Sequence, residues 1–267
     1  MKKIIAIALV LVMALSLAAC GGSADEKTIT IAASSTPHAE ILAVAKEVLA
    51  ADGWTLEVVE YADYVVPNTV VDDGEMDANY FQHQPYLDTF NAENGTKLVS
   101  VAAIHYEPFG IYTGTKDAID GLAEGDKIAV PNDGSNRARA LLLEAEGLIV
   151  LKEGVGMEAT VLDIVENPMS LEIVEMEAAQ IAGVRDSVAL AVINGNYALL
   201  AGLNVSKDAI ASEDAASISA QTYANILVVK EGNEATEKTE ALKAALFSDE
   251  VKAFINDTYS GAVVPIF

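Results

Sequence analysis

The sequence predicts an α/β protein with mainly parallel sheets flanked by helices. Short β-branched runs alternate with longer segments whose apolar residues recur at helical spacing. The 267 residues suffice for one large domain or two modest ones with ample core. No repeat or low-complexity tract interrupts the alternation. Strands joined through helices of this length imply βαβ units, whose crossovers make neighbouring strands parallel.

The first segment stands apart from the fold. A basic start (Lys2, Lys3) precedes an apolar run from Ile4 to Leu15, too short for a spanning helix. Small residues then lead to Cys20 in the order Leu17-Ala18-Ala19-Cys20. This is the layout of a secretory signal, 1–19, and its end is similar to a bacterial lipobox. The similarity implies cleavage before Cys20 and lipidation of its thiol. The alternative is an ordinary signal peptide with an incidental cysteine, which would leave an exported protein with an unexplained lone thiol. Residues 20–28, small and polar, read as a tether. Removing 1–19 takes away two lysines and no acid, leaving 14 basic against 40 acidic residues. Such a balance argues against nucleic acid, whose phosphates attract Lys and Arg. No second long apolar run occurs, so the mature chain is expected to be anchored to a membrane rather than to span it.

Within the fold, 29–31 is the first predicted strand. A helix follows over 39–51, with Ile41, Val44, Ala45, Val48 and Leu49 at helical spacing and Gly53 as its stop. Strands are predicted at 56–59, 98–104, 110–112 and 127–130. A helix is predicted over 135–145, ending near Gly147. Further strands fall at 171–174, 188–193 and 224–229, and two helices, 235–247 and 249–258, close the chain. In open α/β sheets ligands sit at the carboxyl ends of strands, which selects the loops 33–38, 60–67, 79–85, 105–109, 131–136 and 194–197.

Catalysis finds little support. His83 has no serine or cysteine nucleophile near it in sequence, and no G-x-S-x-G, H-E-x-x-H, Walker A or strand-borne G-x-G-x-x-G occurs. Three scattered histidines without C-x-x-C offer little to a transition metal, and no EF-hand spacing is present. The arginines say more, since there are only three: Arg137, Arg139 and Arg185. Arg139 falls about one turn into the helix after the loop PNDGSN, where Asn132, Asp133 and Ser135 can cap free amides. A guanidinium there suits bidentate capture of a carboxylate; a plain surface arginine is the alternative. Asn194 and Asn225 stand at strand boundaries, where an amide either forms a turn or holds the amine and carboxylate of a small ligand. The aromatic run NYFQHQPYLD (79–88) reads either as core or as a strand-to-helix loop that faces the ligand edge of the sheet, with Pro85 in the first helical turn.

The lipobox at Cys20 is followed in order by PHAEIL (37–42), YADYVVPN (61–68), DANYFQHQPYLD (77–88), VPNDGSNRARALLL (130–143), VLDIVENP (161–168), ALAVINGNYA (189–198) and YANILVV (223–229). Over nearly its whole length the chain thus resembles the NlpA/MetQ family of methionine-binding lipoproteins, the substrate-binding components of ABC importers. The resemblance implies a two-lobed, type II periplasmic-binding-protein clamshell. Lobe 1 would be 29–107 plus 226–267, and lobe 2 108–225. It implies that Tyr64, Phe81, His83 and Tyr86 enclose a thioether chain, and that Arg139 holds the ligand α-carboxylate. Asn136, Asn194 and Asn225 would bind the backbone end of the amino acid. Sulfur against aromatic edges is worth about 0.3–1.5 kcal/mol per contact. The expected role is capture of L- or D-methionine and delivery to a permease and its ATPase by a monomer without cofactor, metal or enzymatic activity. Its expected place is the outer side of the cytoplasmic membrane, held by lipid. A methionine-containing dipeptide or another amino acid is the alternative ligand, and adhesion or immune contact without transport the alternative role. The chain departs from the family pattern at SSTPHAE, where a second proline is common, and at Gly195 and Asn196, where threonines are commoner.

Overall fold

In the computed structural model, residues 27–144, 147–214 and 221–267 are described. The leader 1–19 and Cys20 lie outside them. Strand β1 (Thr28–Ala33) leads through an irregular turn at Ser35–Ala39 into helix α1 (Glu40–Ala51). Ile41, Ala45 and Leu49 are buried on one face of α1, as the spacing predicts; Leu42 is buried with them, and Val44 and Val48 are half-buried. Gly53, at φ 78°, supplies the left-handed turn that returns the chain to β2 (Thr55–Glu60). Helix α2 (Val66–Asp72) is not marked by any apolar period. It starts because Asp63 Oδ1 accepts the amides of Val65 and Val66 at 2.7 and 2.8 Å, with Pro67 in its first turn.

Strand β3 (Ala78–His83) runs directly into helix α3 (Gln84–Asn94), so the expected loop at 79–85 does not exist. Every residue of β3 is buried. Both of its faces are covered, which removes the alternation by which a strand is normally recognised. Strand β4 (Leu98–Tyr106) follows, and the chain then crosses to β5 (Gly110–Thr113). Beyond it come β6 (Lys127–Pro131), α4 (Gly134–Glu144), a small ladder of β7 (Val150–Leu151) with β8 (Ile164–Glu166), and β9 (Glu172–Met176). Next are α5 (Ala178–Ile181), β10 (Leu190–Ile193), α6 (Gly195–Leu200), α7 (Val205–Asp208) and β11 (Ala209–Ser212). The chain ends with β12 (Asn225–Lys230), α8 (Glu237–Leu246), α9 (Asp249–Tyr259) and β13 (Val264–Pro265).

Two sheets result. One has the order β13-β4-β12-β3-β1-β2 and the other β11-β5-β10-β6-β9. The pairs β1–β2, β1–β3, β10–β6 and β6–β9 are parallel. Strands β4, β12, β13, β5 and β11 pair antiparallel. The antiparallel share exceeds what the βα alternation suggests, because strands on either side of the passages between the sheets reverse direction. Ile31, Leu42, Leu56, Tyr80, Leu227 and Ile255 belong to the core of the first sheet, and Phe109, Ile128, Val130, Leu141 and Val192 to that of the second. This is the two-lobed, mixed α/β architecture, and the residues of interest gather where its two sheets face each other.

Candidate functional site

The aromatic wall is built on β3 and the first turn of α3. Tyr64, from the loop before α2, lies 5.7 Å from the rings of both Phe81 and Tyr86 and 5.0 Å from Tyr197. Tyr86 Oη donates to the Tyr64 carbonyl at 3.0 Å, which fixes the wall internally. Two tyrosines bridge the sheets. Tyr64 Oη donates to Asn196 Oδ1 at 2.6 Å, and Tyr197 Oη donates to the Ala62 carbonyl at 3.0 Å.

His83 caps α3: its Nδ1 accepts the Tyr86 amide at 3.2 Å. That contact puts the ring proton on Nε2, which donates to Asn136 Oδ1 at 3.1 Å. Burial, with the Arg139 charge adding, lowers the His83 pKa to about 4, so the ring is neutral. Across the cleft, Asp133 opens α4. Its carboxylate accepts the Asn136 amide at 2.9 Å and both of its oxygens accept Asn136 Nδ2 at 3.0 and 3.1 Å. Asn136 Oδ1 is thereby turned toward His83, and also receives Asn194 Nδ2 at 2.9 Å. Asn194 is the N-cap of α6 but caps nothing. Its Oδ1 is buried without a partner among the described residues.

Behind this wall lies a polar cluster that the sequence does not announce. His38 Nδ1 meets Ser34 Oγ at 3.0 Å, and His38 Nε2 meets Asn225 Oδ1 at 2.9 Å. His105 Nε2 meets Glu107 Oε1 at 2.8 Å, and its Nδ1 is bonded by the Tyr80 hydroxyl. Burial lowers the pKa of His38 to about 4 and that of His105 to about 3, and raises that of Glu107. The nearby backbone N–H of Asn196, at the start of α6, works against that rise at Glu107. These three side chains are the described residues whose types and spacing suit a metal, with ligand atoms within 4.8 Å of one another. His105 and Glu107 hydrogen-bond directly, and His38 Nε2 lies 3.6 Å from Glu107 Oε1. Two of the three histidines, His38 and His105, are thus distant in sequence but neighbours in space.

Arg139 is buried and already holds a carboxylate. Its Nε donates to Glu213 Oε1 at 2.8 Å and Nη2 to Glu213 Oε2 at 2.5 Å, while Nη2 also reaches the Glu107 carbonyl at 2.9 Å. The guanidinium lies 4.3 Å from the Tyr223 ring and 4.8 Å from that of Phe109. Burial alone would lower the Arg139 pKa, but Glu213 holds it above its usual value, and Arg139 in turn holds the Glu213 carboxyl down against its own burial. Tyr106 Oη and the Phe109 amide complete the Glu213 shell at 2.5 and 3.0 Å. The bidentate capture expected of Arg139 thus has an internal recipient, and Nη1 is the nitrogen outside the Glu213 and Glu107 contacts.

A small cavity of about 20 Å³ separates the walls, lined by Tyr64, Phe81, Gln82, His83, Tyr86, Asn136, Asn196 and Asn225. Six of the eight residues singled out in the sequence line it; Arg139 and Asn194 do not. Two wider clefts of about 410 and 390 Å³ lie outside Tyr64 and Tyr86. Their rims carry Asp63, Asp133, Glu177 and Glu93, which would repel a carboxylate, with Arg137 the lone cation. The inner cavity, aromatic on one side and amide-lined on the other, has the apolar walls and few polar anchors of a small-molecule pocket, but at this volume it has room for about one water, so a larger ligand requires the walls to part. Gln82, His38, His105, Glu107 and Glu213 were not singled out as site residues in the sequence, and Asn196 only as a departure from the family pattern. The loops 33–38, 105–109 and 194–197 contain four of them, so strand-end position was the available signal.

The model of the NlpA lipoprotein family matches residues 29–267. A methionine-binding lipoprotein MetQ of Bacillus subtilis is 41% identical over 275 residues, covering 100% of this chain and 99% of that one. A nutrient binding protein from Burkholderia cenocepacia, solved bound to methionine, aligns with a TM-score of 0.85 at 42% identity, over 90% of this chain and 100% of that one. A periplasmic substrate-binding protein of an ABC transporter from Coxiella burnetii aligns with a TM-score of 0.83 at 38% identity, over 89% and 100% of the two chains.

Proposed function

The chain belongs to the NlpA lipoprotein family, and from that premise we propose that it is the substrate-binding lipoprotein of an ABC importer and captures methionine between its two sheets. The observation that carries this reading is the inner cavity. Tyr64, Phe81 and Tyr86 offer ring edges to a thioether, and Asn225, with Asn136 acting through Asn194, faces an amino acid's backbone end. The buried, unpartnered Asn194 Oδ1 beside Asn136 suits an ammonium donor. Asn225, with Oδ1 taken by His38, keeps Nδ2 for a carboxylate oxygen. Arg139 would add Nη1 to that carboxylate, a single-nitrogen contact rather than a fork. Neutral histidines and an internally neutralised Arg139–Glu213 pair suit a zwitterion better than an ion of either sign.

On this reading lobe 1 is 29–107 with 226–267, and lobe 2 is 108–225. Methionine enters when the lobes part and is enclosed when they close. Lipidation at Cys20 holds the protein on the outer side of the cytoplasmic membrane, where it meets the permease and ATPase as a monomer. It performs no chemistry on the ligand. Calorimetry on ligand-stripped protein tests the assignment: L- or D-methionine should give saturable heat and a thermal shift. Absence of both with either stereoisomer would sink it. Competition with a methionine-containing dipeptide separates the alternative ligand.

A further inference from the structure

Asp133 touches neither the aromatic wall nor the unpartnered acceptor, yet every donor and acceptor between them takes its direction from it. A carboxylate can only accept, so Asn136 must turn Nδ2 toward Asp133, as both contacts of 3.0 and 3.1 Å show. Asn136 Oδ1 is then left to face His83 and Asn194. His83 can meet it only as an Nε2–H donor, since its Nδ1 is committed to the Tyr86 amide. Asn194 can meet it only through Nδ2, which leaves Asn194 Oδ1 as the buried acceptor without a partner. As the N-cap of α6, Asn194 would ordinarily spend that oxygen on the helix amides. Here its side chain makes no cap hydrogen bond, so the oxygen remains free.

We propose that Asp133 is a positioning residue that fixes the polarity of the pocket. Through Asn136 it makes Asn194 present an acceptor, and so selects ligands carrying an ammonium beside the carboxylate. The claim rests on the methionine reading above but has a consequence that does not need a ligand. With an amide at position 133, one N–H would face Asn136 Nδ2. If Asn136 flipped in response, its Nδ2 would face the donors of His83 and Asn194. Either arrangement sets donor against donor. The helix start survives, because Asn caps as well as Asp. Moving the carboxylate one step along the relay should repair the array. In Asp133→Asn/Asn136→Asp the new amide donates to the new carboxylate, which accepts from His83 and Asn194.

The test uses the full chain, wild type and these two variants, with methionine and desamino-methionine (γ-methylthiobutanoate) as probes. Asp133→Asn should weaken methionine binding by about 10- to 100-fold, the loss expected for one misdirected hydrogen bond to a charged group. Desamino-methionine should change by less than about 3-fold, since it never engages the acceptor. The double variant should regain at least about 10-fold of methionine affinity. Equal loss of both probes, or no recovery in the double variant, overturns the proposal. Ligand-free ¹⁵N spectra of the histidine rings give the independent arm: the His83 Nε2–H signal should shift in Asp133→Asn and return in the double variant. An unmoved signal also overturns it. A protein that binds neither probe while His83 follows this pattern would refute the methionine reading and leave the relay standing.

Discussion

At the scale of single residues, the site is organised by groups that burial has driven into one protonation state. Arg139 and Glu213 are both nearly inaccessible, at 5% and 10% side-chain exposure, and each satisfies the other. Removing one member of such a pair leaves a buried charge and costs about 3–5 kcal/mol. Glu213→Ala should therefore lower the unfolding free energy by about that amount and weaken ligand binding as Arg139 relaxes; a melting temperature equal to wild type would contradict it. His38, His83 and His105 are the converse case. Their folded pKa values of about 4, about 4 and about 3 lie below the model-compound value of 6.5. The unfolded chain thus takes up protons first as pH falls. The stability they support is complete above 6.5 and is lost as pH falls toward the folded values. At about pH 5.5 each accounts for roughly 1.4 kcal/mol, offset in part by Glu107 and Asp133, whose raised pKa values act in the opposite sense. Denaturation midpoints at about pH 7.5 and about pH 5.5 should show lower stability at the acid end, and equal midpoints would contradict this. Phe81 and Tyr86 could be placed beside a strand-to-helix junction from the sequence, but pattern alone left core and pocket wall undivided. Glu213 could not be placed, since 74 residues separate it from Arg139 and nothing local marks either as the other's partner.

At the scale of elements, the strands and helices with one covered face were legible, and those without were not. α1 and α9 show their apolar faces in the sequence, with Ile41, Ala45 and Leu49 on one and Val251, Ile255 and Tyr259 on the other. β3, buried throughout, has no alternation to read. The start of α6 is set by a contact that only the folded chain reveals. A Cβ on Gly195 would stand 2.6 Å from both Glu107 Cβ and Glu107 Oε2. A side chain there is compatible with the fold only if Glu107 sits differently. Gly195→Ala should push Glu107 away from the start of α6, costing roughly 1–3 kcal/mol as an overpacked core contact does. It should also weaken methionine binding, because α6 carries Asn194 and Asn196. A variant with unchanged melting temperature and affinity would show that Glu107 yields without consequence.

At the scale of the molecule, function turns on how the two sheets are held together, and the bonds that cross between them are few enough to test singly. His83 Nε2–Asn136 Oδ1, Tyr197 Oη–Ala62 O and Tyr64 Oη–Asn196 Oδ1 all span the cleft, at 3.1, 3.0 and 2.6 Å. Tyr64 is the most informative because it does two jobs. Its ring forms part of the aromatic wall and lies 5.0 Å from Tyr197, while its hydroxyl latches the opposite side. Tyr64→Phe keeps the ring and deletes the latch. The unsatisfied Asn196 Oδ1 makes the loss comparable to one buried hydrogen bond, about 0.5–1.5 kcal/mol. A ligand trapped by closure leaves only when the sheets part, so that loss belongs to the off-rate. Methionine should dissociate from Tyr64→Phe about 3- to 10-fold faster with its association rate little changed. In solution scattering the ligand-free variant should shift toward a larger radius of gyration than wild type, because closed and open populations differ by the same free energy. An affinity loss expressed in the association rate would mean that the hydroxyl shapes the entrance rather than the latch. An unchanged off-rate would mean that the remaining cross-cleft bonds hold the closed state without it.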